Sequence, residues 1–330
     1  MLHEIINRYA ESCRPYMGSF INHLPMAQLA VYRMTSDLDR VETYSAYFAN
    51  HFSADPLQSN YPAVDSIDTC IGQRDLYEPC LDLVKEAMVS QGVEQMVKQT
   101  LKTYPSGISS GVFHTLIRLG YAMEGYRLEP ESTDEVARAL AYYLTGYREA
   151  KTFSRHVDAA AFSGEMENLT ASAPVQRIIQ SKSSLGQRLR ALYSSDEYLQ
   201  TGFVVNGDEG EKARGLLDHL IPLFNRTHDI VVLHCITGLH AAFMLKEHFL
   251  DFEHALDILT ACITTHILAV MPRNRFDRVY DAKAHSWDAL LRKGSASKDV
   301  HTLKLTYSCH QLNQLYSHAG LKDVVLNKIK

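Results

Sequence analysis

The sequence lacks the features that mark several large classes of protein. Its 33 lysines and arginines are scattered among 38 acidic residues, giving a formal net charge of -5 and no basic patch for nucleic acid or an anionic membrane. No stretch is apolar for 18 residues, and the opening Met1–Ile6 is not a basic segment followed by an apolar run. We therefore expect a cytoplasmic protein with no nucleic-acid or membrane partner.

Common cofactor and catalytic motifs are missing as well. The chain has no GxGxxG after a strand, no P-loop, and no GxSxG at a strand-turn-helix junction. Its six cysteines show no CxxC spacing, and we expect them to be reduced core residues: Cys13, Cys70, Cys80, Cys235, Cys262 and Cys309. Any chemistry must therefore come from other side chains.

What the sequence does have is helical periodicity almost everywhere. Leu81, Val84 and Met88, for example, place apolar side chains at three- and four-residue intervals, whereas strand-like alternation is scarce. Ser132 is followed by acidic residues and a helical apolar pattern, which is typical of a helix start. No fixed-period repeat suggests a solenoid. We predict an all-α fold, a single large multi-helical domain over residues 1–330 built around a central helix bundle, with a soft division near residues 150–175.

Two long helices are predicted to form the centre as an antiparallel hairpin. Asp229 can cap the first, which should run to about Phe249. The second should begin at Asp251 or Phe252 and reach Met271, where the following proline ends it. Breaks between helices are predicted at residues 53–62, 104–107, 163–174, 202–210 and 272–281.

The 16 histidines are the unusual part of the composition, because several lie among aliphatic residues. His234 is one, and its imidazole is either a satisfied core group or a metal ligand. His240 lies six residues further on and about 120° around the helix, so at most one of the two should be a ligand of a single ion. His266 is a further candidate, although its hydroxyl neighbours offer it a structural role.

A histidine and a lysine share one face of a helix near the end of the chain. Ser297–Asp299 resembles a helix start, which places His301 and Lys304 three residues apart on the same side. The ordinary interpretation is a half-buried histidine beside a solvated lysine. If Lys304 is buried instead, desolvation lowers its pKa, and a neutral amine can react with carbon dioxide to give an anionic carbamate that ligates a metal.

Four segments resemble one known family in the same order along the chain. In residues 110–124, small residues precede His114, and an aliphatic pair, LGY and a glutamate follow it. The other segments are NHLP at 22–25, HCIT at 234–237 and DVHTLK at 299–304. Together they resemble the questin oxidase-like family, which includes fungal enzymes that open anthraquinone-type polyketide rings by Baeyer-Villiger-type or related oxygenation.

The resemblance implies a metal site and a function. Family members are all-helical, carry no flavin or haem motif, and can hold non-haem iron with histidines and a carboxylated lysine. The matching positions here are His23, His114, His234, His301 and Lys304. We therefore expect an Fe(II)-dependent oxygenase that takes O2 and a small aromatic substrate, with Tyr121 and Arg118 as candidate catalytic residues. The sequence leaves open whether NADPH supplies electrons, whether His240 or His266 replaces a ligand, and whether the chain forms a homo-oligomer.

The sequence departs from the family pattern at two positions, and it is also compatible with two other functions. Met26 and Arg118 stand where the family often has histidine, which predicts a changed pocket and substrate. An all-α hydrolase of the HD type is an alternative because of the dipeptide His228–Asp229, although Asp229 is more economically explained as a helix cap. A non-catalytic helical small-molecule-binding protein, with the histidines as buried polar groups, is the second alternative.

Overall fold

The computed structural model describes residues 1–270, 276 and 279–330, and these residues are mostly helical. The helices of the first half are α1 Leu2–Ala10, α2 Leu24–Thr35, α3 Leu38–His51, α4 Ile67–Cys70, α5 Tyr77–Gln91, α6 Val93–Thr103, α7 His114–Leu128 and α8 Thr133–Thr145. Those of the second half are α9 Phe162–Ala171, α10 Ala173–Ser181, α11 Leu185–Tyr193, α12 Asp196–Thr201, α13 Glu209–Thr227, α14 Ile230–Met244, α15 Phe252–Ala269, α16 Trp287–Ser295, α17 Val300–Tyr316 and α18 Gly320–Ile329. The all-α prediction is confirmed.

The strands in the described part of the chain are short and form two pairs. β1 (Tyr16–Met17) and β2 (Phe20–Ile21) make an antiparallel hairpin directly before α2. β3 (Arg155–Val157) and β4 (Phe203–Val205) pair in parallel and flank the helices α9 to α12. The soft division predicted near residues 150–175 falls where β3 and α9 begin, and it stays a prediction.

Helix α14 lies at the centre because its sequence is apolar on every side. All its residues from Val231 to Ala242 are buried, and a helix without a polar face must be surrounded by other helices. α14 packs against α7, α13, α15 and α17, and α2 packs against both α7 and α17. The helices α2, α7, α14 and α17 therefore form a connected group in the middle of the fold.

The first helix of the predicted hairpin is shorter than expected. Asp229 caps it as predicted, since its carboxylate accepts hydrogen bonds from the backbone N–H groups of Val231 and Val232. The helix ends at Met244 rather than near Phe249, because a short 3-10 turn follows at residues 246–248. Periodicity did not reveal this end, since Leu245 and Phe249 keep the four-residue spacing of a helix.

The second helix begins where it was predicted. Asp251 caps α15 by accepting a hydrogen bond from the backbone N–H of His254, and the helix runs to Ala269. α14 and α15 pack against each other, as the hairpin requires. Met271 and the proline after it lie outside the described residues.

The six cysteines are free thiols, and five of them are buried.

Among the described residues, no helix combines the length and the apolar character needed to cross a membrane.

A buried ion triad joins α7 to α8. The Glu135 carboxylate accepts hydrogen bonds from Arg118 at 2.8 and 3.2 Å and from Arg138 at 2.8 Å, and all three side chains are at most 5% exposed. Although burial raises the pKa of Glu135, the two guanidinium groups outweigh it and hold that pKa below its ordinary value. Removing the carboxylate would leave two buried cations without a counter-ion.

We predict that Glu135→Gln lowers the free energy of unfolding by about 3–5 kcal/mol, the range for breaking a buried charge pair. Urea unfolding of the metal-free protein at neutral pH measures it. Glu131→Gln, at an exposed position nearby, should change that energy by less than about 0.5 kcal/mol. Because the folded-state pKa of Glu135 is lowered, the wild-type advantage should be present above the ordinary carboxylate pKa and lost as the pH falls. Equal stability of both variants would contradict the prediction.

Candidate metal centre

Four histidines meet at the beginnings of four helices. His23 directly precedes α2, His114 is the first residue of α7, His301 is the second of α17, and His234 is the fifth of α14. One ring nitrogen from each lies within 4.8 Å of the others, so the group could hold a metal ion. The ring centroids of His114 and His234 are 4.2 Å apart, and those of His23 and His301 are 4.8 Å apart. The structure thus brings together residues separated by up to 278 positions.

Backbone carbonyls fix the tautomers of two of these rings. Nδ1 of His23 lies within hydrogen-bond distance of the carbonyl oxygen of Ile21, and Nδ1 of His114 within that of Gly111. Because a carbonyl oxygen can only accept, both Nδ1 atoms must donate, and each Nε2 then carries a lone pair. A metal-binding histidine usually has such an outer hydrogen bond on its second ring nitrogen.

The two Nε2 atoms of His23 and His114 are only 2.8 Å apart. Two lone pairs facing each other at that distance repel unless a cation lies close to both. Neither ring is protonated at neutral pH, because burial lowers the pKa of His114 to about 3 and that of His23 well below its ordinary value. A metal ion bound by both nitrogens would satisfy the pair.

The third ring points to the same conclusion. Nε2 of His234 is buried, and it has no hydrogen-bond partner among the described residues. Burial also holds the pKa of His234 well below its ordinary value. A buried neutral imidazole nitrogen without a partner costs free energy, and a metal ion would remove that cost.

Lys304 lies beside the four histidines, one turn after His301 on α17. The side chain is fully buried, and Nζ has no hydrogen-bond partner in the described part of the chain. Burial lowers the pKa of this amine to about 7. When protonated, this amine lowers the pKa of all four histidines, so it lies within electrostatic reach of them. Of the two interpretations of Lys304 that the sequence allowed, the structure therefore shows the buried lysine and not the solvated one.

Asp299 links the start of α17 to the fourth ring. Its carboxylate caps the helix by accepting from the backbone N–H groups of His301 and Thr302, and it lies 3.5 Å from Nδ1 of His301. Although burial raises the pKa of Asp299, hydrogen bonds from His301, Lys328 and Thr302 hold it far below its ordinary value. The carboxylate is thus an anionic neighbour of the outer nitrogen of His301. The sequence marked this segment as a helix start but did not reveal the second contact.

The other two candidate histidines lie outside the four-histidine group. Nδ1 of His240 is 3.0 Å from the hydroxyl of Ser308, and Nδ1 of His266 donates to the carbonyl oxygen of Cys262 at 2.8 Å. For His266 the structural partner is a backbone carbonyl rather than a neighbouring hydroxyl. Of the two histidines on α14, the group contains His234 alone.

The two candidate catalytic residues have different surroundings. The buried hydroxyl of Tyr121 lies 3.3 Å from Oγ of Ser308 and 3.4 Å from the carbonyl oxygen of Lys304, so it contacts the helix that carries the lysine. The guanidinium of Arg118 is paired with Glu135 in the ion triad. Their roles in a reaction stay predictions.

Comparison with known proteins gives one family match. The family model described as Questin oxidase-like matches residues 20–217, more than half of the chain. The matched region contains His23 and His114, whereas His234, His301 and Lys304 follow it. No curated protein matches the sequence.

The two histidines of α14 provide a matched test of the metal centre, since each is 3% exposed. We predict that His234→Ala weakens binding of Co(II) or Zn(II) by more than about 100-fold, the upper range for losing even an outer partner of a ligand. His240→Ala should bind the ion within about 3-fold of wild type, because it is not in the group. Titration of metal-free protein measures both affinities, and thermal unfolding confirms folding. Equal affinities of the two variants would exclude His234 as a ligand.

Proposed function

We propose that this chain, which belongs to the questin oxidase-like family, is a metal-dependent oxygenase that acts on a small aromatic or quinone-like molecule with non-haem iron. The family implies oxidoreductase activity. The observation that carries the proposal is the group of four imidazoles, three of them buried, in which the Nε2 atoms of His23 and His114 are 2.8 Å apart. Imidazole nitrogen is a suitable donor for iron.

The proposed ligands are the four imidazoles and a carboxylated lysine: His23, His114, His234, His301 and Lys304. When bound, the iron would supply the electron transfer that dioxygen needs, because triplet oxygen reacts slowly with closed-shell aromatic molecules. The described residues around the group include no flavin or haem ligand motif that would supply it instead.

The surroundings of Lys304 favour the carbamate. Its neutral amine would attack the carbon of carbon dioxide, form an N–C bond and lose a proton, leaving an anionic carbamate. Three helices, α2, α7 and α17, begin within two residues of a cluster histidine, and the positive ends of their dipoles favour an anion and disfavour an ammonium there. Burial disfavours the ammonium too.

In this proposal the protein controls access to the cluster and its protonation. The side chain of His301 is 23% exposed, whereas the other three histidines are buried, so the substrate would approach on the His301 side. Backbone carbonyls hold the protons of two rings on Nδ1, away from the metal side. The hydroxyl of Tyr121 contacts the backbone of Lys304 and the side chain of Ser308 on α17. Tyr121 would therefore position Lys304 rather than bind the substrate.

The electron balance separates the two oxygenation outcomes. Insertion of one oxygen atom into a ring sends the other atom to water, which consumes two electrons and two protons from a reductant such as NADPH. Ring cleavage with both atoms in the product needs no external reductant. Labelled dioxygen and the ratio of NADPH oxidised to oxygen consumed distinguish these outcomes.

We predict that the Fe(II)-loaded protein, with NADPH present, consumes dioxygen when given hydroxylated anthraquinones or their quinols. His234→Ala should abolish this uptake and His240→Ala should retain most of it, measured with an oxygen electrode and product mass spectrometry. Phosphate esters should release no phosphate under the same conditions, which tests the hydrolase alternative. Iron-loaded wild type that consumes no oxygen with this substrate class but releases phosphate would overturn the proposal in favour of the hydrolase.

We further predict one lysine carbamate in the zinc-loaded protein in buffer with ¹³C-bicarbonate, seen by carbon NMR. The signal should be absent in Lys304→Met, which keeps a buried unbranched side chain. It should persist in Lys212→Met, a matched control because Lys212 is also buried but is paired with Asp257 at 2.6 Å. A signal that survives in Lys304→Met, or none in wild type, would argue against carboxylation of Lys304.

A further inference from the structure

The three residues before His114 have an unusual backbone. Gly111, Val112 and Phe113 have φ angles of +60°, +57° and +65°. A left-handed conformation is rare for residues other than glycine and costly for a β-branched one such as Val112. Two such residues in succession, between a helical turn and α7, are a local strain that needs a compensating contact.

The other left-handed residues in the described chain have an ordinary explanation. Apart from Val112 and Phe113, the non-glycine residues with positive φ are all C-caps, where this conformation closes the end of a helix. They are Ser36, His228 and Ser317. The turn at residues 111–113 closes no helix, and it directly precedes a proposed ligand.

The turn determines how His114 is oriented. It brings the carbonyl oxygen of Gly111 to Nδ1 of the His114 ring, and the backbone N–H of His114 lies 3.4 Å from the same oxygen. This carbonyl fixes the tautomer and the direction of Nε2. A relaxed turn would move the carbonyl and release the ring.

The turn is anchored by the side chain of Phe113, which packs against α14 where Gly238 leaves space for it. The buried ring of Phe113 packs against Gly238, where a Cβ atom would lie 2.9 Å from Cγ and Cδ1 of the ring and 3.0 Å from its Cβ. His266 packs against the same ring, with centroids 4.9 Å apart. Gly238 follows His234 by one helical turn, so one face of α14 supplies both a ligand and the seat of Phe113.

We propose that Phe113, seated in the gap at Gly238, is a clamp that holds the strained turn and thereby orients His114 for metal binding. The inference rests on the metal centre of the proposed function but not on the identity of the metal or the reaction. Phe113 and Gly238 are positioning residues, since they act through His114.

The first test is Gly238→Ala, whose Cβ must displace the Phe113 ring. We expect the affinity for Zn(II) or Co(II) to fall about 10- to 100-fold, the range for losing an outer partner of a ligating histidine. In the zinc-loaded protein the downfield proton resonance of His114 Nδ1 should shift or disappear. Gly125→Ala on α7, where an added Cβ makes only ordinary contacts at 3.6 and 4.0 Å, should change neither quantity.

A second pair of variants separates positioning from loss of stability. Phe113→Ala and Phe224→Ala each remove a fully buried phenylalanine ring, and Phe224 lies on α13, which carries none of the four histidines. Both should lower the melting temperature, but only Phe113→Ala should weaken metal binding and change the His114 resonance. This pair carries the test alone if Gly238→Ala does not fold.

The results distinguish the clamp from the proposed function. Wild-type affinity and an unchanged His114 resonance in Gly238→Ala and Phe113→Ala would overturn the clamp, as would equal weakening in Phe224→Ala. Wild type that binds metal tightly without consuming oxygen would contradict the oxygenase and leave the clamp standing. Wild type that binds no metal would overturn both.

Discussion

The close packing of α7 against α14 is the contact on which the rest of the site depends. Phe113 lies over Gly238, and a Cβ at Gly120 would meet Ala241 at 3.3 Å, so small residues let the two helices approach at two levels. That approach brings the rings of His114 and His234 to a centroid distance of 4.2 Å. The other two histidines join because α2 and α17 pack against the same pair of helices. A small shift of one helix would therefore move several of the four histidines relative to one another.

Burial keeps the imidazoles of the cluster neutral, and it also leaves buried polar atoms without partners, which costs free energy. Away from water, the imidazoles stay neutral and keep their lone pairs, as the lowered pKa values of His23, His114 and His234 indicate. The same burial leaves Nε2 of His234 and Nζ of Lys304 without protein partners among the described residues. Orphaned polar atoms are rare in a packed core because each one destabilises the fold. A metal ion held by the cluster would give a partner to Nε2 of His234.

Two positions that differ from the family pattern have been absorbed into the core. Met26 is fully buried in α2, and Arg118 is held by Glu135 in the ion triad between α7 and α8. Neither side chain can accept a proton as an imidazole does. The family match ends at residue 217, so it covers the first two proposed ligands but not those on α14 and α17. Membership of the family thus supports oxidoreductase chemistry. It does not identify the substrate, because Met26 and Arg118 differ from the family pattern.

The sequence by itself determined the helical class and several helix starts. Periodicity is a local property, and a carboxylate placed to cap the first turn identifies helices at Asp229, Asp251 and Asp299. The five proposed ligands came from short segments that resemble a family. Only the tertiary structure decided that His234 and not His240 joins the cluster, that Lys304 is buried, and that a left-handed turn precedes His114. These facts depend on how helices distant in sequence pack, which local patterns do not encode.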